Sequence, residues 1–582
     1  MGVFEEVVQG LGLTPRPQQE RLVALARETM REGARFVQAG TGTGKSYAVL
    51  SVALEAARAN GQPSVVVCPN NTLIDQYVLK DAPSVQGIAG GKFAHIKGRS
   101  RYVCANSVAL LMKSTARYEY QQLTADGELE WAKLGLTEEW GCPGSDVCNP
   151  RDDCRCDGPA SNMPCRCTPI CGAIEARNRA AMADVIITNA HVLMWDYLVA
   201  FFTGGVASLL PEYGALFVDE CHELESVGRS CLSEEITSKN PVVPQIEGLA
   251  EWLDTRGEHM LDEGKREEPL ERSVAVQEMA NAARRVIEEI EDEWGGEIPK
   301  QQRKKIKRLQ RFIDFVSVSD NHVSIVEVTD KQDDSGKRVV DKVTLKRVCI
   351  DASLQFSDIL THQPTLLVSG TIPSSDRRRL GLTKVKIADV GHPFDYSQST
   401  LIVSKYSPKE STHLHKRVDS LVRAIQQTKG GTLVLFTSWA DLELVMPIAA
   451  ERLPGIDVYC QSKADPATLP QDVEDFKKDG NAVLAGVRSL FTGLDVPGDA
   501  LRQVVLWKLP YAVPSTEVKA IQDRFGYNVY KDQMMMTLVQ AVGRLIRTTS
   551  DRGRVLILDS RAAKLRWGMD SMAYHLDEFA RT

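Results

Sequence analysis

The stretch Ala39-Gly40-Thr41-Gly42-Thr43-Gly44-Lys45-Ser46 follows the apolar pair Phe36-Val37 and precedes an Ala-, Val- and Leu-rich run from Tyr47 to Arg58. Glycines at 40, 42 and 44 let the backbone wrap with its N–H groups turned inward, so the loop and the helix behind it can hold a polyphosphate. Lys45 supplies a point charge, Ser46 a hydroxyl suited to a magnesium ion, and the helix the positive end of its dipole. Ala39 to Ser46 is therefore a candidate nucleotide site on a strand–loop–helix unit.

Outward from this loop, the chain is long enough for several cores, because single cores stop growing near ~250–300 residues. It has 582 residues and is 43% apolar. A formal net charge of −7 does not advertise a polyanion partner, yet a basic groove can sit on an acidic body. The amino-terminal Met-Gly-Val-Phe-Glu-Glu has no apolar core of signal-peptide type, and Val185 to Phe202 is interrupted by Asn189, His191 and Asp196. A cytoplasmic chain without a membrane span is expected. Of thirteen cysteines, eight fall between 104 and 171, which argues for metal rather than a disulfide framework.

The α/β pattern of the first 85 residues predicts a helix over 18–32, a strand at Ser64–Cys68 and a further helix from Thr72. It breaks from 86 to 174, where Gly, Pro, Asp and Cys crowd between 141 and 172, too polar for a core of their own. It resumes with buried strands at 184–188 and 215–218. From 226 to 350, helical spacing at Val276, Met279, Ala283, Val286 and Ile290, and again at Ile306, Leu309, Ile313 and Val316, predicts packed amphipathic helices. The second carries Arg303, Lys304, Lys305, Lys307, Arg308 and Arg311, either a solvated face or a nucleic-acid contact. Val323–Val328 and Val339–Leu345 read as a hairpin. A second α/β unit runs from 395 to the end, with strands near 432–436, 482–484, 504–506 and 555–558.

Asp219-Glu220-Cys221-His222 closes the strand at 215–218. Two acids at a strand end downstream of a phosphate loop suit metal-assisted hydrolysis: Asp219 for the magnesium shell, Glu220 to polarise the attacking water. His222 either reports nucleotide state to its neighbours or is structural. Near the other end, Gln540, Arg544 and Arg547 in Gln-Ala-Val-Gly-Arg-Leu-Ile-Arg share one face if helical, and the arginine forks suit a γ-phosphate delivered from a second domain. Gly543 within that helix costs roughly 1 kcal/mol and fits a close approach. For the cysteine-rich stretch, thiolate chemistry alone allows a Cys₄ zinc site as well as an iron–sulfur cluster. Cys68, Cys221, Cys231, Cys349 and Cys460 are scattered and read as core packing.

Together these residues resemble the superfamily 2 iron–sulfur helicases of the XPD/DinG group, over nearly the whole chain and most like the bacterial or phage members. Arg16-Pro17-Gln18-Gln19 resembles the adenine-reading segment, with Gln19 the reader; Asp219 to His222 resembles the DEAH-type box. Thr72 and Gln76 match a single-strand-contacting segment, and Ser369-Gly370-Thr371 stands where the family has Ser-Ala-Thr. Gly391 to Tyr396 resembles the entry to the second motor domain, Leu435-Phe436-Thr437-Ser438 its next strand, Ser489 to Asp495 the fifth helicase motif and Gln540 to Arg547 the sixth. Leu490-Phe491-Thr492 departs from Phe-Trp-Glu, and Asn189-Ala190-His191 from Asn-His.

The resemblance implies an α/β fold: a first RecA-like motor domain (1–85, 175–225, 351–394), an iron–sulfur domain (86–174), a helical arch-like insertion (226–350) and a second RecA-like motor domain (395–582). It implies ATP, Mg²⁺ and a 4Fe–4S cluster as cofactors. Lys45, Asp219, Glu220, His222, Gln540, Arg544 and Arg547 would be catalytic; Gln19, Ala39, Gly40, Thr41, Gly42, Thr43, Gly44, Lys45, Ser46, Asp219 and Asp495 would hold nucleotide; Cys104 and Cys171 would hold the cluster with a middle pair from Cys142, Cys148, Cys154, Cys156, Cys165 and Cys167, of which the family's spacing favours Cys165 and Cys156 is taken as its companion. The implied activity is ATP-driven 5′ to 3′ translocation on single-stranded DNA with unwinding of forked or tailed duplexes, by a monomer, with no fused exonuclease ahead of Gln19. Backbone contacts from Thr72, Thr437 and Thr492 would ignore sequence. Two alternatives are an ATPase that remodels DNA–RNA hybrids or protein–DNA complexes without processive unwinding, and a non-hydrolysing nucleic-acid-binding scaffold.

Overall fold

The structure is a computed structural model describing residues 2–40, 42–102, 172–294, 298–333, 335–373, 375–391, 393–394, 399–491, 500–543, 545–546, 551–565 and 580–581. Thr41, Cys104, Cys156, Cys165, Cys171, Thr492, Asp495, Arg544 and Arg547 lie outside the described residues.

Two parallel sheets carry the molecule. The first runs, edge to edge, Ile387–Asp389, Ala34–Gln38, Thr365–Ser369, Ala215–Asp219, Ser64–Cys68, Val185–Asn189 and Phe93–His95. Four of its central strands are buried at every residue, as expected when helices cover both faces of a parallel sheet. Chain distant in sequence meets here: the strand at 365–369 returns after the whole 226–350 insertion to pair between the phosphate-loop strand and the strand ending at Asp219. The second sheet runs Val458–Cys460, Val483–Gly486, Thr432–Leu435, Gln503–Leu506, Arg554–Ile557, Thr400–Val403 and Ala580–Arg581.

Between Thr361 and the box at Asp219 sits a third body. The expected hairpin grows into His322–Gln332 paired with Arg338–Cys349, extended on either side by Glu267–Pro269 and Glu234–Thr237 into a four-stranded antiparallel sheet. Helices Leu249–Asp262, Val274–Trp294 and Lys300–Val316 share a core with it through Leu253, Met279, Phe312 and Val326. The insertion is thus helix on sheet rather than helical throughout. The basic side chains Arg303, Lys304 and Lys307 are exposed.

The two motor sheets are tied by polar and apolar contacts. Ser375 Oγ donates to Asp532 at 2.5 Å, Arg229 to Glu517 at 2.5 Å, and Arg524 pairs with Asp351 at 2.8 Å, beside an apolar patch of Ile350, Ile521 and Val529. Two expectations change. The helix Asn528–Val542 stops with Gly543 as its C-cap, so that glycine ends the helix instead of lying within it. Of the scattered cysteines, Cys68, Cys221 and Cys349 are buried, but Cys231 is half-buried and Cys460 exposed, because the edge strand that carries it has only one neighbour.

Candidate functional site at the carboxyl ends of the first sheet

Parallel register aligns Gln38 with Ser369 and Val368 with Asp219, so the phosphate loop, Ser369 and the acidic pair emerge side by side at one sheet edge. Ligands of open parallel sheets bind at such carboxyl ends. Gly44 takes φ +79° as N-cap of the helix Lys45–Asn60, and Gly42 takes φ +74°. A Cβ at Gly42 would overlap the Phe394 ring, and one at Gly44 the Gln19 amide. Both glycines are therefore required by conformation, and Gly42 by space as well. Thr43 Oγ1 donates to Gly40 O at 2.6 Å, tightening the loop. Gln19 is buried and donates through Nε2 to Gly44 O at 3.0 Å, while Arg16 stacks over Phe394.

Lys45 Nζ reaches back to Glu220 Oε1 at 2.6 Å. Glu220, at φ +50°, is the only non-glycine residue with positive φ among the described residues. A left-handed backbone at a side chain with no turn preference is costly, and such strain concentrates where a side chain must be aimed. Here it turns the carboxylate away from the sheet and toward the lysine. Burial opposes the Glu220 charge, but Lys45 and His222 outweigh it and hold the carboxyl down to about 2. Burial likewise opposes the Lys45 charge, and the Glu220 and Asp219 carboxylates raise its pKa in spite of it. Asp219 is pushed up by burial against the pull of Lys45.

Behind this pair runs a chain of hydrogen bonds into the second motor domain. Gln540 Nε2 lies 2.7 Å from His222 Nε2, His222 Nδ1 lies 2.7 Å from Ser369 Oγ, and Ser369 donates to Glu220 Oε2 at 3.1 Å. A neutral His222 with its proton on Nδ1 satisfies every step: the amide donates to Nε2, Nδ1–H donates to the hydroxyl, and the hydroxyl to the carboxylate. Burial lowers the His222 pKa, but hydrogen bonding to Glu223 and the Glu220 charge raise it overall; when protonated, the ring would meet the Gln540 amide through its oxygen instead. Of the residues singled out from sequence, Gln19, Gly42, Gly44, Lys45, Glu220, His222 and Gln540 are thus in one connected array.

Two further residues were not legible in the sequence. Tyr77 is buried and donates its hydroxyl to Asp219 Oδ2 at 2.8 Å, while the backbone N–H of Glu220 serves Oδ1 at 3.0 Å. Asp81 is buried with Oδ2 unpartnered, and the Ser46 hydroxyl stands against both Asp81 and Tyr77. Tyr77–Asp81 form a π turn between the α-helical segments Asn71–Gln76 and Ala82–Ala89. Tyr77 and Asp81 follow the buried Ile74 at successive spacings of three and four, so helical period alone reads both as core packing rather than as groups of the site. The only available signal was two polar side chains close behind Thr72 and Gln76. The Ser46 hydroxyl and the Asp219 carboxylate are hard oxygen donors of the sort magnesium prefers alongside phosphate oxygens. The site fits that ion.

A helicase C-terminal domain model matches residues 421–574. The chain is 25% identical over 625 residues to the ATP-dependent DNA helicase YoaA of Haemophilus influenzae, covering 96% of this chain and 92% of that protein. It is 27% identical over 644 residues to the ATP-dependent helicase DinG of Mycobacterium tuberculosis, with the same coverage of 96% and 92%. Among solved structures, an XPD helicase overlays with a TM-score of 0.59 at 16% identity, covering 98% of this chain and 99% of that one. The Xpd4 protein of S. tokodaii overlays with a TM-score of 0.56 at 15% identity, covering 97% and 100%. The chain is thus similar over nearly its full length to the ATP-dependent helicases DinG and YoaA, carries a matching helicase C-terminal domain, and shares the fold of the XPD helicases.

Proposed function

We propose that this protein is an ATP-dependent DNA helicase that moves 5′ to 3′ on single-stranded DNA and unwinds tailed or forked duplexes. The observation that carries the reading is the chain from Lys45 through Glu220, Ser369 and His222 to Gln540, which joins the phosphate loop to the second motor domain. A polyphosphate at Gly40 to Ser46 draws the Lys45 ammonium from Glu220 and leaves that carboxylate to orient and polarise the attacking water. Magnesium, held by Ser46 and Asp219, would neutralise charge on the β- and γ-phosphate oxygens. Arg544 and Arg547, just beyond the helix that ends at Val542, would complete the γ-phosphate site.

Thr72 and Gln76, four residues apart and both exposed, present one helix face to solvent, and Thr437 is exposed at the end of the Thr432–Leu435 strand. Contacts from these side chains to a DNA backbone would be sequence-independent. The reading extends to a 4Fe–4S cluster on Cys104, Cys156, Cys165 and Cys171, to a monomer acting in the cytoplasm, and to DNA–RNA hybrids among the substrates. Among the described residues, no helix is long and apolar enough to cross a membrane. The test is a DNA-stimulated ATPase assay joined to strand displacement on duplexes with one 5′ or one 3′ tail. Stimulated hydrolysis with displacement from the 5′ tail is expected. Stimulation without displacement would select the remodelling alternative, and no hydrolysis the scaffold.

A further inference from the structure

The phosphate loop and the acidic box leave one neighbouring element unused, the π turn Tyr77–Asp81. Its two buried polar side chains face the two residues that would hold magnesium. Tyr77 donates to Asp219 Oδ2 at 2.8 Å, and the Ser46 hydroxyl stands against both Tyr77 and Asp81. Neither polar group serves the helix it sits in. Asp81 Oδ2 has no hydrogen-bond partner and is shielded from solvent, an arrangement that costs about 1–3 kcal/mol unless something compensates it. A π turn is itself a departure from the better-bonded α-helix, and such bulges recur at functional sites.

We propose that the π turn Tyr77–Asp81 is a positioning element of the magnesium site, in which Tyr77 fixes the rotamer of Asp219 and Asp81 orients the Ser46 hydroxyl. With Tyr77 on Oδ2 and the Glu220 N–H on Oδ1, the Asp219 carboxylate is held from two sides and cannot swing. Asp81, accepting a hydrogen bond from the Ser46 hydroxyl, leaves the lone pairs of that hydroxyl free to face the magnesium ion. Partners of this kind orient metal-binding groups, and their loss commonly costs 10–100-fold in metal affinity. The turn immediately follows Gln76, so the element that aims the magnesium-binding residues is continuous with the exposed face proposed to meet DNA. This inference rests on the ATPase reading.

The test measures equilibrium binding of a fluorescent ADP analogue to the full-length protein, titrated with magnesium chloride and repeated in EDTA. Tyr77→Phe removes only the hydroxyl, and Asp81→Asn keeps shape while removing the charge. Each is expected to raise the half-effective magnesium concentration about 10-fold or more, with affinity in EDTA and the thermal unfolding midpoint of Tyr77→Phe close to wild type. A wild-type magnesium response in both variants would overturn the assignment and leave the π turn a packing element. Equal weakening with and without magnesium would also overturn it, since that marks a general loss of the nucleotide site. Wild-type protein whose nucleotide binding ignores magnesium would instead overturn the ATPase reading, and this inference with it.

Discussion

Glu220→Gln separates binding from chemistry at this site. The carboxylate is ionised at any working pH, because Lys45 and His222 hold it down to about 2. At the 2.6 Å separation of Lys45 Nζ and Glu220 Oε1, an effective dielectric near 20 gives a gross attraction of about 6 kcal/mol. Desolvation and the remaining hydrogen bond offset most of it, and a net of about 1 kcal/mol is the usual scale for a partly exposed pair. An incoming polyphosphate must displace that pair. Glutamine keeps the shape and the Ser369 contact but frees the ammonium, so nucleotide should bind about 5-fold more tightly by equilibrium titration. Turnover should meanwhile fall by about 10² or more, because the group that polarises water is gone. The pH dependence has a definite sign. The depressed folded-state pKa makes the Glu220 pair fully stabilising above about pH 4.5 and lets that contribution fade as pH falls toward 2. Weaker nucleotide binding together with turnover within a few-fold of wild type would refute this account of Glu220.

Three other perturbations read different parts of the fold. Glu225→Ala removes one carboxylate partner from Arg229, which keeps Glu517 at 2.5 Å, and from Arg379, which keeps Asp376 at 3.7 Å, and should lower unfolding free energy by about 1–3 kcal/mol in urea titration, whereas no measurable loss would mean the cluster is hydrated. Asp376, buried and pushed up to about 7, costs more to ionise in the fold than unfolded, so Asp376→Asn should be near neutral at pH 6 and stabilising at pH 8; the opposite pH trend in thermal melts would contradict the sign. Cys171→Ser should lose iron and duplex unwinding while keeping nucleotide binding, and zinc without acid-labile sulfide in anaerobically purified wild-type protein would replace the cluster with a zinc site.

Much of the motor was legible from local pattern because local physics decides it. The Ser64–Cys68 strand is an apolar β-branched run with buried neighbours, and the loop glycines at 42 and 44 stand at positive φ with side chains crowding the space a Cβ would need. The insertion was harder. Its helices follow their apolar spacing, but the strands at Glu234–Thr237 and Glu267–Pro269 are short, charged edges whose pairing comes from partners about 60 to 110 residues away. Tyr77 escaped for a different reason: it lies three residues after the buried Ile74, on an inner face that reads as packing, and nothing local to it shows that its hydroxyl meets Asp219, which is 142 residues away.

Among the contacts between the two motor domains, the one that reaches the phosphate loop is one that sequence spacing could only suggest. Gln540 sits three residues before the helix gives way to Gly543, and its amide meets His222 at 2.7 Å. Gln540→Ala removes the amide donor of a neutral Nε2, which Glu223 at 3.4 Å can replace only by protonating the ring, a cost of about 1–3 kcal/mol when the domains are apposed. Because the cost falls only on the apposed state, DNA-free nucleotide binding should be near wild type while DNA-stimulated turnover drops about 10-fold. Gln540→Glu tests the direction of the hydrogen bond: a carboxylate cannot donate to a neutral Nε2 but pairs well with a protonated ring, so its turnover should recover below the His222 pKa. A Gln540→Ala enzyme with unchanged DNA stimulation would show that His222 and Gln540 are neighbours without being coupled, and the chain from Lys45 would then end at Ser369.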